Sequence, residues 1–113
     1  MAYPTGSGSE ILGRVGGKYL TASTTTIFTV PSLHIYTMIS AHFCRNGAAE
    51  NTIFLKAHDG AADRELIINQ TLSNDTFVWN EKVVLMGGDA LKLTLSGTAQ
   101  IDFWVSYIDQ DWT

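Results

Sequence analysis

The run His34-Ile35-Tyr36-Thr37-Met38-Ile39-Ser40-Ala41-His42-Phe43-Cys44 decides the fold class. Its odd positions, Ile35, Thr37, Ile39, Ala41 and Phe43, form one apolar series, while the even ones mix His34, Tyr36, Met38, Ser40, His42 and Cys44. An extended chain turns successive side chains to opposite faces, so a period of two predicts a strand that buries one face. Working outward, Leu91, Leu93 and Leu95 alternate with Lys92, Thr94 and Ser96 in the same way. So do Ile101, Phe103, Val105 and Tyr107 with Asp102, Trp104, Ser106 and Ile108. Shorter runs at 25–30, 52–57, 65–68, 76–79 and 82–86 bring the expectation to about eight short strands.

Turn residues separate these runs: Pro31-Ser32, Asn46-Gly47, Asp59-Gly60, Ser73-Asn74-Asp75, Gly87-Gly88-Asp89 and Ser96-Gly97. No window of a dozen residues carries an apolar stripe at helical spacing, although Ala61-Ala62-Asp63-Arg64-Glu65 could form a single helical turn. Parallel strands need crossover helices, and none is available. The class is therefore all-β: an antiparallel, jelly-roll-like β-sandwich whose core is predicted from Ile35, Ile39, Phe43, Leu91, Leu93, Leu95, Ile101, Phe103 and Val105. Residues 1–10, with Gly6-Ser7-Gly8-Ser9, read as a flexible N-terminal arm, and 11–113 as one sandwich domain.

Composition narrows the function classes. At 113 residues with 45 % hydrophobic and 16 % charged residues, the chain can bury a core and does not read as disordered. Seven Lys and Arg against eleven Asp and Glu leave a formal charge of −4, the wrong balance for displacing counterions from phosphates, so no nucleic-acid partner is expected. The uncharged stretch 19–44 is long enough to span a bilayer, but its Ser, Thr, Pro31 and β-branched residues read as strands and no membrane partner is expected. No basic, apolar secretion signal is visible at the start, and a single cysteine, Cys44, makes no internal disulfide.

Ile27-Phe28-Thr29-Val30-Pro31 is followed by the long alternating strand, then by Cys44-Arg45-Asn46-Gly47 and the Asp59-Gly60 turn. Next come Val83-Val84-Leu85-Met86-Gly87-Gly88-Asp89-Ala90-Leu91-Lys92-Leu93 and finally Ile101-Asp102-Phe103-Trp104-Val105-Ser106-Tyr107. In this order, with Ile11-Leu12-Gly13 upstream, the motifs resemble those of small β-sandwich virion proteins of tailed bacteriophages. The chain departs from that family where a Pro-Ala-Gly-Lys turn becomes Pro31-Ser32-Leu33-His34, which predicts a differently shaped first turn, and at the end of the last strand. The resemblance implies a structural role in the virion of a protein made in the bacterial host cytoplasm. A capsid decoration or cement protein leads; a collar or tail-fibre module, or a glycan-binding sandwich, is the alternative. The partners it implies are the major capsid protein or other virion proteins and further copies of the chain, a trimer being favoured.

The residues themselves offer little catalytic chemistry. His34 and His42 share a face in an unbroken strand but sit about 26 Å apart at roughly 3.3 Å per residue, too far to share an ion. If 34–44 and 52–58 form a hairpin, His58 falls near Met38 and reaches neither. His42 and Cys44 alone supply two ligands where zinc needs four, and as a nucleophile pair they lack an orienting third group. Asp59, Asp63, Asp75 and Asp89 fall in turns, where Asp serves its own backbone. No catalytic residue, metal site or cofactor is predicted, and no enzymatic activity. The candidate partner contacts are the apolar residues of the arm and its exit, Tyr3, Pro4, Ile11 and Leu12, with Trp104, out of phase with its strand's apolar face, and Trp112 in the acidic tail.

Overall fold

In the computed structural model the chain is described for residues 9–19, 24–45, 51–72, 76–97 and 100–112. Nine strands make up the described chain, and no described residue is helical. They are β1 Ser9–Tyr19, β2 Thr24–Thr29, β3 His34–Arg45, β4 Asn51–His58, β5 Asp63–Leu72, β6 Thr76–Trp79, β7 Val83–Met86, β8 Ala90–Leu95 and β9 Ile101–Asp111. All ladders are antiparallel. One sheet runs β1-β9-β3-β6, with β7 also on β3, and the other runs β2-β8-β4-β5. If the short β6 and β7 are counted as one broken strand, this is the eight-strand order of a jelly roll. The expected antiparallel sandwich is the fold observed.

β3 and β4 lie in different sheets, so the hairpin between 34–44 and 52–58 does not form; β4 pairs instead with β5 and β8. The 61–65 segment is no helical turn either: Ala61 and Ala62 complete the loop that starts at Asp59, and β5 begins at Asp63. β1 is a ninth strand that alternation alone does not reveal, and it starts at Ser9, inside the stretch 1–10 read as arm; residues 1–8 lie outside the described residues. Gly13, Gly16 and Gly17 hide it, because they lower strand propensity and carry no pattern. Their place in the sheet is nonetheless specific, since each is paired directly with an aromatic of β9: Tyr107, Trp104 and Phe103 respectively. A Cβ at Gly13 would lie 2.6 Å from the Tyr107 ring and one at Gly16 2.3 Å from that of Trp104. Rings from β9 thus occupy the room that β1 side chains would fill.

The core departs from the predicted set within β3. The β3–β9 register shifts between Met38 and Ser40, a bulge that places one extra residue, Ile39, in β3. The extra residue reverses the phase: Tyr36 and Met38 are buried before it, Ala41 and Phe43 after it. Ile35 and Ile39, predicted for the core, are only half-buried and give way to Tyr36 and Met38. The bulge also sends His34 and His42 to opposite faces. Lys82 donates to the Ile39 carbonyl at 3.2 Å, supplying a partner at the point where the ladder is interrupted. Leu91, Leu93, Leu95, Ile101 and Val105 are buried as expected, in one core with Ile53, Leu55, Ile67 and Leu72, while Phe103 is only half-buried against it. At one end Tyr36 stacks on Tyr107 with ring centroids 4.4 Å apart, and Phe28 leans on both.

Two motifs that read as separate punctuation meet in space. Val30 N–H donates to the Asp89 carbonyl at 2.8 Å and Gly88 N–H to the Val30 carbonyl at 2.9 Å. The Asp89 carboxylate in turn accepts from Met86 N–H at 2.9 Å. Gly87 lies against the Pro31–Leu33 backbone, where a Cβ would come within 3.0 Å of the Pro31 carbonyl oxygen. The first turn closes with His34 N–H donating to the Pro31 carbonyl at 3.1 Å, and Leu33 adopts the left-handed φ of 62° that a glycine would adopt freely.

Candidate interaction surface

Because the inner face of each sheet is spent on the core, any partner of the first sheet's broad side must meet its outer face. Residues paired directly across a ladder share a face, so the register identifies that surface. One row across it is Leu12 on β1, Ile108 on β9, Thr37 on β3 and Val84 on β7. A second is Gly16, Trp104, His42 and Val78 on β6. At about 4.8 Å between strands, each row is about 15 Å wide. Leu12 is 77 % exposed, Val84 60 %, Trp104 45 % and Val78 41 %, four exposed apolar side chains on a face that also carries Glu10, Arg14, Lys18, His42 and Asp102.

The candidates divide as follows. Leu12 and Trp104 lie on this face, two register steps apart across the β1–β9 ladder. Ile11, its neighbour, is 61 % exposed and belongs to the inner side of β1 at the sheet's margin. Trp104 lies over Gly16, and the Arg14 guanidinium sits 4.6 Å from its ring centroid, a cation–π contact that holds the indole against β1. Trp112 does not extend away from the body. Its backbone N–H donates to the Leu33 carbonyl at 3.0 Å and its indole nitrogen is buried with no hydrogen-bond partner among the described residues. Tyr3 and Pro4 lie outside the described residues. Val78 and Val84 were not singled out by sequence; only the knowledge that two short strands share the far edge of β3 puts them on the same face as Trp104 and Leu12.

Polar clusters sit at the ends of the sandwich rather than on this face. His34 ties the start of β3 to the end of β9, with Nδ1 2.8 Å from Asp109 Oδ1 and Nε2 3.4 Å from Asp111 Oδ1. At the β4–β5 turn, Asp59 accepts from the Ala61 and Ala62 N–H groups at 3.0 and 2.9 Å and from Arg64 Nε at 3.2 Å. Those backbone bonds, with the guanidinium, hold its carboxyl down at about 2. The neighbouring Asp63 is also held low, chiefly by its hydrogen bond to His58. Burial, then the nearby Tyr107 and Asp109, push the Tyr36 phenol up to about 12. Among the described residues no group of three or more His, Cys, Asp and Glu side chains is placed to hold a metal ion. Cys44 is half-buried, its Sγ 3.8 Å from the Arg45 carbonyl oxygen. Among the described residues no helix is long and apolar enough to cross a membrane.

No family model matches the sequence, and no curated protein matches it. Solved structures do share the fold. A chain of the T13 IBDV viral particle superposes with a TM-score of 0.65 at 8 % identity over 91 % of this chain, which spans 31 % of that one. A subunit of Bacillus endospore appendages, described as disulfide-linked pili, superposes with a TM-score of 0.58 at 13 % identity, covering 100 % of this chain and 97 % of that one. A pentameric capsid protein isolated from metagenomic phage sequences gives a TM-score of 0.46 at 18 % identity over 87 % of this chain and 61 % of that one.

Proposed function

We propose that the protein is a non-enzymatic structural subunit of a bacteriophage virion, docking on the head as a decoration or cement protein through the outer face of the β1-β9-β3-β6 sheet. The observation that carries this reading is the set of exposed apolar side chains Leu12, Trp104, Val78 and Val84 on one sheet face, where a partner covering them would bury hydrophobic area. The motif order resembling tailed-phage sandwich proteins supports the virion context, and the jelly-roll likeness to an IBDV particle chain fits it. The partners in this reading are the major capsid protein and further copies of the chain, assembled as a homo-oligomer, with a trimer as the form the resemblance favours. Arg14 over Trp104 weighs against a glycan site, because the ring edge and one face are already engaged within the chain.

The full-length likeness to an appendage subunit favours a second reading, a repeating subunit of a fibre such as a collar or tail element. A covalent polymer of the disulfide-linked kind is not available to this chain, since Cys44 alone can join two copies and no more. Quantitative mass spectrometry of purified virions tests both readings. Copies in fixed proportion to the major capsid protein, with antibody labelling on heads, support decoration. A few copies with label at the neck or tail favour the fibre module, and absence from virions overturns the proposal.

A further inference from the structure

Sheet edges expose unpaired N–H and C=O groups, and proteins blunt them with bulges, brevity, charge or cover. Three of the four edges here are blunted. β2 carries a register shift between Thr26 and Phe28, β5 is irregular against β4 and has Asn69 at φ 58°, and β6 and β7 are four residues each. β1 is different in its backbone: although it carries the charges of Glu10, Arg14 and Lys18, it runs eleven residues in unbroken register with β9, lacks proline, and ends the strand order of its sheet with no further strand beside it among the described residues. We propose that β1 pairs antiparallel with β1 of a second copy across a two-fold axis at Arg14, joining two five-stranded sheets into one continuous ten-stranded sheet.

The sequence of the strand selects that partner and that register. With Arg14 on the axis, the full length of β1 is used and Glu10 of each copy stands opposite Lys18 of the other, giving two opposite-charge cross-strand pairs. In the same register the exposed Leu12 stands opposite the other copy's Gly16, over which Trp104 lies, and Ile11 stands opposite Gly17, against which Phe103 lies. The two most exposed apolar side chains of the strand therefore each meet a glycine backed by an aromatic ring. Sliding the pairing by two residues in either direction removes both charge pairs and places Leu12 opposite Arg14 or Lys18. The cost of the favoured register is Arg14 opposite itself, reduced because each guanidinium is drawn over its own Trp104. Closed two-fold symmetry makes the contact self-limiting, so it does not by itself build fibres. The inference stands without the virion reading, although two-fold and three-fold contacts coexist in closed shells.

The test is sedimentation of the full chain across a concentration series, with amide hydrogen exchange read on β1. A concentration-dependent dimer is expected, in which the alternate β1 amides pointing away from β9 gain protection as the dimer forms. Lys18→Glu should weaken dimerisation about thirtyfold, roughly 2 kcal/mol, by turning two attractive pairs into repulsive ones, and Glu10→Lys should do the same. The double variant restores opposite charges in exchanged positions and should recover most of the loss, which a merely destabilised fold would not. A chain that stays monomeric at its highest soluble concentration overturns the proposal. So does an oligomer whose β1 amides exchange freely, or one in which the double variant adds the two single losses together.

Discussion

The bulge in β3 makes a prediction that opposes simple alternation. Met38 is fully buried in the core, whereas its neighbour Ile39 is only half-buried and sits at the interruption itself. Met38→Ala removes three heavy atoms from a packed interior, for which large-to-small changes of this kind cost about 2–5 kcal/mol. Ile39→Ala loses part of a half-covered side chain, about 1 kcal/mol by area. Unfolding entropy of about 2.1 cal/mol/K per residue puts the slope near 0.24 kcal/mol/K for a chain of this length, so the midpoint should fall by about 12 °C for a 3 kcal/mol loss and about 4 °C for the smaller one. Thermal and urea unfolding followed by circular dichroism measure both, with an unchanged m-value showing that stability alone has moved. An unbulged strand with its odd residues inward predicts the reverse order. If Ile39→Ala costs as much as Met38→Ala, the phase reversal is wrong.

Gly13→Ala should destabilise by about 1–3 kcal/mol, because its Cβ would press into the Tyr107 ring that stacks on Tyr36, while Gly97→Ala, with nothing within 4 Å of its Cβ, should be near neutral by the same urea titration. The Asp59 carboxyl, followed by carbon-detected NMR, should titrate at about 2; its stabilisation of the β4–β5 turn is present above the ordinary value of 3.8 and is lost as pH falls through about 2. Tyr36 should ionise at about 12 in a spectrophotometric titration. Its folded-state value lies above the ordinary 10.0, so its contribution is whole below pH 10 and disappears as pH rises through about 12. A phenol titration with every tyrosine at its ordinary value would show that Tyr36 is not held in the stacked, buried position.

Much of the fold was legible because local chemistry and burial agree. The Leu91, Leu93, Leu95 series is buried as its alternation dictates, and Pro31 and the Gly87-Gly88-Asp89 turn end strands where their backbone limits require. β3 shows where such reading runs out. Tyr36 and Met38 are large side chains that a core accepts as well as Ile35 and Ile39, so alternation favours the odd phase without excluding the other, and the pairing with β9 selects it. β1 escapes for another reason: the side chains that complete its surface belong to β9. Of the candidate contact residues, Trp104 was identifiable because it breaks phase within a strand that is otherwise regular, and Leu12 because it is one of the few apolar residues of the N-terminal stretch. Val78 and Val84 join them only through long-range pairing, which no local pattern encodes.

The β1–β9 ladder also sets a timetable. Ser9 pairs with Asp111 and Tyr19 with Ile101, so β1 is synthesised well before the strand it pairs with. Until β9 emerges, β1 has no place in the sheet, and closing so long a loop is entropically costly and slow. β3 can pair with β6 and β7 beforehand, but its ladder to β9 waits as well. The sheet β2-β8-β4-β5 draws all its strands from residues 24–95 and can assemble earlier. During synthesis one sheet can therefore form while the other still lacks its β9 centre, leaving β1 as a glycine-rich segment and one flank of the apolar β3 unpaired. Those segments are the ones a chaperone would hold, and a mutation that slows β9 docking would reduce soluble yield before it altered the melting temperature of the finished protein.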